Sequence, residues 1–164
     1  MIRLANVNDL ERIMEIVDET VKIMNDSGNF QWDSTYPRED RFQKDIDAED
    51  LYVYEEDGRV LGFVCINTEE SDEYMDAKWS LEGEALVVHR VAIAVDGRRK
   101  GIAGAFMKLA EEIAVKKGIG LIKTDTNTKN DPARGMFKRY GFNEIGEINL
   151  IGRFGKFVCL EKVL

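Results

Sequence analysis

From His89 to Gly104 the chain reads His-Arg-Val-Ala-Ile-Ala-Val-Asp-Gly-Arg-Arg-Lys-Gly-Ile-Ala-Gly, and the rest must fold around this stretch. Its first half is an apolar run suited to a buried strand and its second half is a short basic turn bearing glycine. From Ile102 the apolar positions take helical spacing. A strand thus passes into a helix through a loop suited to an anion. The first backbone N–H groups of a helix have no partner inside it and the macrodipole is positive there, so a phosphate can be held without side chains. Gly101, Ala103 and Gly104 carry little or no side chain, which lets a ligand approach that backbone closely. Arg98, Arg99 and Lys100 add positive charge beside it.

With 164 residues, 44% of them hydrophobic, residues 1–164 fit a single domain with a sizeable core. No apolar run approaches the length that spans a bilayer, and Met1-Ile2-Arg3-Leu4 leads straight into strand-like and helical pattern rather than a signal peptide. A soluble cytoplasmic protein with no membrane partner is expected. Cys65 and Cys159 lie in apolar strand-like runs, where cysteine packs as a small hydrophobe, and their separation makes no metal-spacing motif. No metal is expected. The net charge of -8 disfavours nucleic acid and suits a neutral or cationic substrate.

Ile2 and Leu4 read as a first strand, and Asn8 reads as a helix cap with Glu11 as its capping-box partner. Leu10, Ile13, Met14, Val17, Val21 and Met24 form the apolar face of that helix, which Ser27-Gly28-Asn29 ends. Phe30 to Pro37 is an aromatic loop, followed by a short helix to about Ala48 with Phe42 and Ile46 inward. Strand-like runs at 51–54 and 60–66 flank Asp57-Gly58, a dipeptide that favours a tight hairpin turn. Residues 67–84 are acidic and irregular, with Tyr74 and Trp79 among them, and read either as a solvated excursion or as a lid that attracts a cation. Leu86 to Val95 is the central strand, and Ile102, Phe106, Leu109 and Ile113 stripe the helix after it. A fifth strand spans 121–126, Asp131 caps a helix with Pro132 at its first position, and 142–151 with 154–160 close as an antiparallel pair. The sum is a mixed α/β chain in the order βααββ then βαβαββ.

These residues resemble the GNAT superfamily of acyl-CoA N-acyltransferases. Arg98-Arg99-Lys100-Gly101-Ile102-Ala103 is similar to its signature of Gln or Arg, two free positions, Gly, one free position, then Gly or Ala, at a strand-to-helix junction. Asn130-Asp131-Pro132-Ala133, Met136-Phe137 and Tyr140-Gly141-Phe142 resemble its second block of Asn, Ala, a hydrophobic pair and Gly-Phe. Gln31-Trp32, Tyr36-Pro37 and His89-Arg90-Val91-Ala92 resemble a bacterial subgroup. The resemblance implies an α/β (α+β) sheet of about six to seven strands with about four helices, its central strands splayed at the cofactor site. It implies acetyl-CoA as cosubstrate. Arg98, Arg99, Lys100, Gly101, Ile102, Ala103 and Gly104 would hold the pyrophosphate. Val91, Ala92 and Ile93 would offer strand backbone to the pantetheine arm, and Asn130 would contact that arm from the next junction. Phe137 stands beside the cofactor where family members often carry a tyrosine that protonates the departing thiolate.

Tyr140, one helical turn later, is the hydroxyl left for that role, and an alkyl thiol with a pKa of about 8.5 also leaves tolerably as the anion. An alkyl amine with a pKa of about 10.4 must lose a proton before or during attack. His89 is the only histidine, and strand alternation would place it with Val87 and Val91 on one face, opposite Val88, Arg90 and Ala92. It reads as the base, with Glu84 as the substitute, or as a core histidine satisfied by a carbonyl. Arg90 reads as a guide for a carboxylate-bearing substrate or as the partner of an acidic residue. Trp32, Tyr36 and Trp79 read as lining of the acceptor pocket or as packing. The activity implied is transfer of an acetyl group from acetyl-CoA to a primary amine of a small molecule or peptide. A tetrahedral intermediate would form, with its oxyanion on a strand N–H near Val91. The alternative is a CoA-binding regulatory module without turnover, and a homodimer is compatible with either. Nucleic-acid and nucleotide binding lack support: no aromatic-basic alternation, Walker-type Gly-Lys-Ser/Thr or Gly-x-Gly-x-x-Gly occurs.

Overall fold

The computed structural model describes every residue from Met1 to Leu164. In chain order the elements are β1 (Ile2–Leu4), α1 (Leu10–Asp26), α2 (Glu39–Asp47), β2 (Leu51–Glu56), β3 (Arg59–Asn67), β4 (Leu86–Ile93), α3 (Ile102–Lys117), β5 (Leu121–Asn127), α4 (Asp131–Arg139), β6 (Asn143–Asn149) and β7 (Lys156–Val163). Short 3-10 turns lie at Val7–Asp9, Asp72–Asp76 and Val95–Gly97. The strands hydrogen-bond in the order β1-β2-β3-β4-β5-β7-β6. This is the mixed sheet of seven strands with four α-helices that the sequence led us to expect. The chain forms two compact units, Met1–Ile66 with His89–Ala103 and Asn67–Val88 with Gly104–Leu164.

In the first unit β1 pairs antiparallel with β2, and β2 with β3. The apolar face of α1 buries Ile13, Met14, Ile16 and Val17 in one cluster with Phe42 of α2, Leu51, Val53, Phe63 and Ala92. The β2–β3 turn places Asp57 at φ 50 and Gly58 at φ 77. Left-handed backbone at both central residues matches the strand twist, which is why Asp-Gly serves there. The capping box sits earlier than expected. The Asn6 side chain accepts from Asn8 N–H, and the Asp9 carboxylate accepts from Asn6 N–H at 2.8 Å. Arg3 fixes Asp9 with two further bonds of 2.8 and 2.9 Å, so the chain turns there before α1 starts at Leu10. That guanidinium holds the Asp9 carboxyl below its ordinary range.

In the second unit β5 and β7 pair antiparallel along their length, and β7 carries β6 as its other neighbour. Along α3, Phe106, Met107, Ala110 and Ala114 are buried, while Leu109 and Ile113 are only half-buried. The buried stripe is thus turned from the Phe106-Leu109-Ile113 row predicted from spacing, because alanines on the inner face let a helix approach closely. At α4 the cap is Asn130 rather than Asp131, and its side-chain oxygen accepts from Ala133 N–H at 3.3 Å. Pro132 in that first turn has no N–H, so the third helical residue is the one that needs a cap. Cys65 and Cys159 are both buried, and burial pushes each thiol up to about 12. Both pack inside strands as expected, and the Cys65 sulfur also accepts from Arg90 Nη2 at 3.4 Å. No helix is long and apolar enough to cross a membrane.

Candidate active site

Between β4 and α3 the chain makes the Val95–Gly97 turn and then runs extended through Arg98. Gly97 is required there: a Cβ would lie 2.9 Å from the Leu61 carbonyl oxygen and 3.1 Å from Ile102 Cδ1. Arg99 takes φ 63 and Gly101 φ 76, so the loop alternates left-handed residues just ahead of the helix. Nothing lies within 4 Å of where a Cβ on Gly101 would stand. The first turns of α1, α2 and α4 carry Glu11, Glu39 with Asp40, and Asp131, whereas that of α3 carries no acidic residue. Acidic side chains answer the positive end of the macrodipole on those three helices and leave it for an external anion on α3. Arg98, Arg99 and Lys100 are exposed, and Lys100 pairs with Glu56 at 2.6 Å.

On β4 the alternation expected for His89, Arg90 and Val91 is broken. Arg90 has φ 27, a left-handed backbone inside a strand, and His89, Arg90 and Val91 are all half-buried in sequence. Such a residue cannot continue the pleat, so it redirects the backbone groups around it. Its side chain is clamped. Arg90 Nε and Nη2 donate to the two Asp45 oxygens at 2.8 Å each, and Nη1 donates to the Tyr36 hydroxyl at 3.2 Å. Arg41 adds a second guanidinium on Asp45 at 2.8 Å. Arg90 is therefore the partner of an acidic residue, the structural one of its two readings.

The β4–β5 ladder is parallel and short, pairing Leu86 with Ile122 and Val87 with Lys123. Where it ends, the Thr124 hydroxyl donates to the Val88 carbonyl at 2.9 Å. A side chain thus carries the contact one step past the ladder. On the strip of β5 beyond, the Tyr74 hydroxyl donates to Asp125 at 2.5 Å. Lys123 pairs with Glu70 at 2.6 Å and stands 4.6 Å from the Trp79 ring centroid. Ser80 N–H donates to Glu161 at 2.9 Å, and the Ser80 hydroxyl donates to the same carboxylate. Residues 67–84 are therefore fastened to β5 and β7 at several points rather than solvated along their length.

Of the aromatics expected at the acceptor pocket, Trp32 belongs to the core. It is 5% exposed and stacks on Phe63 with centroids 6.3 Å apart. Tyr36 is half-buried and engaged by Arg90, while Trp79 leans on Tyr74 and donates to its carbonyl at 2.7 Å. Phe137 is buried with its ring 5.3 Å from that of Phe142. Tyr140 closes α4, and its hydroxyl lies at the first turn of α3, where a Cβ on Gly104 would be 2.9 Å away. Glu84 lies exposed ahead of β4, and His89 is half-buried within it. Sequence reasoning missed Asp45, Tyr74 and Asp125 as polar centres. The available signal was the charge on Lys123 and Asp125 at alternate positions of a strand.

The chain belongs to the acetyltransferase (GNAT) family, whose model matches residues 17–142. It is similar to a GNAT-family acetyltransferase from Streptococcus agalactiae at 22% identity, covering 100% of this chain and 95% of that one, with a TM-score of 0.85. A GNAT-family acetyltransferase from Listeria monocytogenes matches at 22% identity, with 100% and 94% covered and a TM-score of 0.75. The yncA protein of Salmonella typhimurium, solved with its cofactor acetyl-CoA, matches at 17% identity over 100% and 93% of the two chains, with a TM-score of 0.71. No curated protein matches the chain in sequence.

Proposed function

We propose that the protein transfers an acetyl group from acetyl-CoA to a primary amine of a small molecule or peptide. The observation that carries this reading is the start of α3: a glycine-bearing basic loop enters a helix whose first turn lacks acidic residues, at the family's signature position. Pyrophosphate fits such a loop, because open space faces Gly101 and the helix supplies N–H donors. Arg98 to Gly104 would hold it, Val91, Ala92 and Ile93 would present strand backbone to the pantetheine arm, and Asn130 would contact the same arm. Its side-chain oxygen already caps α4, which fixes its orientation.

In the reaction the amine nitrogen attacks the thioester carbonyl carbon, the amine proton passes to a base, and the C–S bond breaks to release the CoA thiolate. His89 is the base proposed, with Glu84 as the substitute, and the Val91 N–H would stabilise the oxyanion beside the redirected backbone at Arg90. The buried Phe137 supplies no proton, so the thiolate leaves as the anion or takes a proton from Tyr140. Phe137 also favours the second reading, a CoA-binding module without turnover. Thiol release from acetyl-CoA over a panel of polyamines, amino acids, aminoglycosides and peptide N-termini separates the two, and binding without release for every amine sinks the enzyme. Replacing His89 by alanine is expected to lower the rate by about 100-fold or more and to remove a neutral-range inflection from the pH-rate profile while CoA affinity is kept. An unchanged profile returns His89 to the core.

A further inference from the structure

Asp125 lies on β5 beyond Lys123, the last residue laddered to β4, and opposite Cys159 of β7. Tyr74, which is 3% exposed, donates to its Oδ2 at 2.5 Å. One phenol satisfies one lobe of a group that has about four lone-pair sites, so the carboxylate retains capacity for another donor. Lys123 is engaged by Glu70 at 2.6 Å and does not donate to Asp125. Burial raises the Asp125 carboxyl above its ordinary range; Tyr74 and Arg153 pull it down and Glu73 pushes it up. A carboxylate held this way gains from a cation brought to it. Beside the charged groups Arg153 and Glu73, the same segments expose three apolar side chains, Met75 at 88%, Ile151 at 92% and Phe154 at 85%. Those three are tied to the site by short links: Met75 follows Tyr74 in the chain, Ile151 N–H donates to Glu73 at 3.2 Å, and Asn127 on β5 donates to the Phe154 carbonyl at 3.0 Å.

We propose that Asp125, oriented by Tyr74, binds the ammonium group of the acceptor, a primary amine carried on an apolar body. This rests on the acyl-transfer reading above. An alkyl amine arrives protonated and needs a counter-charge until the proton leaves to the base. Asp125 supplies that counter-charge, and Tyr74 is a positioning residue that acts through it. The site therefore governs capture of the amine and leaves binding of acetyl-CoA alone.

The test is calorimetric titration of phenethylamine, at mildly alkaline pH, into the full-length protein saturated with CoA. Wild type is expected to bind it, and Asp125→Asn to bind about 30-fold or more weakly, as for loss of one partner of a desolvated charge pair. Tyr74→Phe keeps the ring and is expected to weaken binding about 3- to 10-fold through the lost hydrogen bond. In turnover both substitutions raise the KM for phenethylamine more than they lower kcat. CoA titrated into each variant with wild-type affinity shows that the fold is intact. Equal binding by wild type and Asp125→Asn overturns the proposal, as does the absence of phenethylamine binding to wild type. Failure of acyl transfer has a different signature: phenethylamine binds and depends on Asp125, yet acetyl-CoA releases no thiol.

Discussion

Asp45→Ala is expected to destabilise the protein by about 5 kcal/mol, the upper end for breaking a buried ion pair. Asp45 is 1% exposed and receives both Arg90 and Arg41, and the Arg90 side chain is 9% exposed. Removing the carboxylate leaves two guanidinium groups facing each other, and neither can shed its proton. Arg90→Ala is expected to lose less, about 3 kcal/mol, because Arg41 remains on Asp45. Its alanine keeps the left-handed backbone at φ 27 without the clamp, so Arg90→Gly should be the more stable of the two by about 1 kcal/mol. For a chain of this length the Asp45 change corresponds to a fall in Tm of about 10–20 °C, measured by calorimetry. A loss below about 1 kcal/mol would show that the cluster is solvated and does not shape β4.

Gly104→Glu is expected to abolish measurable CoA binding. The carboxylate would stand in the first turn of α3, the only α-helix start free of acidic residues, where we propose that the pyrophosphate binds. Two unit charges near 4 Å repel by about 4 kcal/mol at an effective dielectric of about 20, which is several hundredfold in affinity. The structure adds a steric part, since a Cβ at this position would lie 2.9 Å from the Tyr140 hydroxyl and 3.2 Å from its Cζ. The double change Gly104→Ala with Tyr140→Ala separates the two effects. It removes the hydroxyl and the ring carbons in the way and adds no charge, so its CoA affinity should approach that of wild type. Retained affinity in Gly104→Glu would remove the pyrophosphate from this turn.

The features legible in the sequence are those that depend on near neighbours. The Asp57-Gly58 hairpin, the apolar face of α1, and the passage from β4 through a basic glycine loop into α3 all follow from residues a few positions apart. What escaped is set by partners far along the chain. Arg90 meets Asp45, Tyr74 meets Asp125, and Lys123 meets Glu70, pairs that no periodicity encodes. The same limit explains Trp32, whose partner Phe63 lies on β3 and makes it core. The Asn6 cap is a local exception: Arg3, Asn6 and Asp9 lie within six residues of one another, and Asp9 stands where a capping box usually carries Glu or Gln. The left-handed backbone of Arg90 is the least legible feature, since it falls inside a strand with no turn residue beside it and its side chain is held by Asp45 and Tyr36 from elsewhere in the chain.

The most direct measurement compares the dissociation constants of CoA and pantetheine for the wild-type protein by calorimetry at fixed ionic strength. If the turn from Arg98 to Gly104 cradles the pyrophosphate, CoA binds about 100-fold or more tightly than pantetheine, because the helix N–H groups and charge-assisted contacts are lost with the phosphates. Equal affinities for the two ligands, or no affinity for CoA, would contradict it.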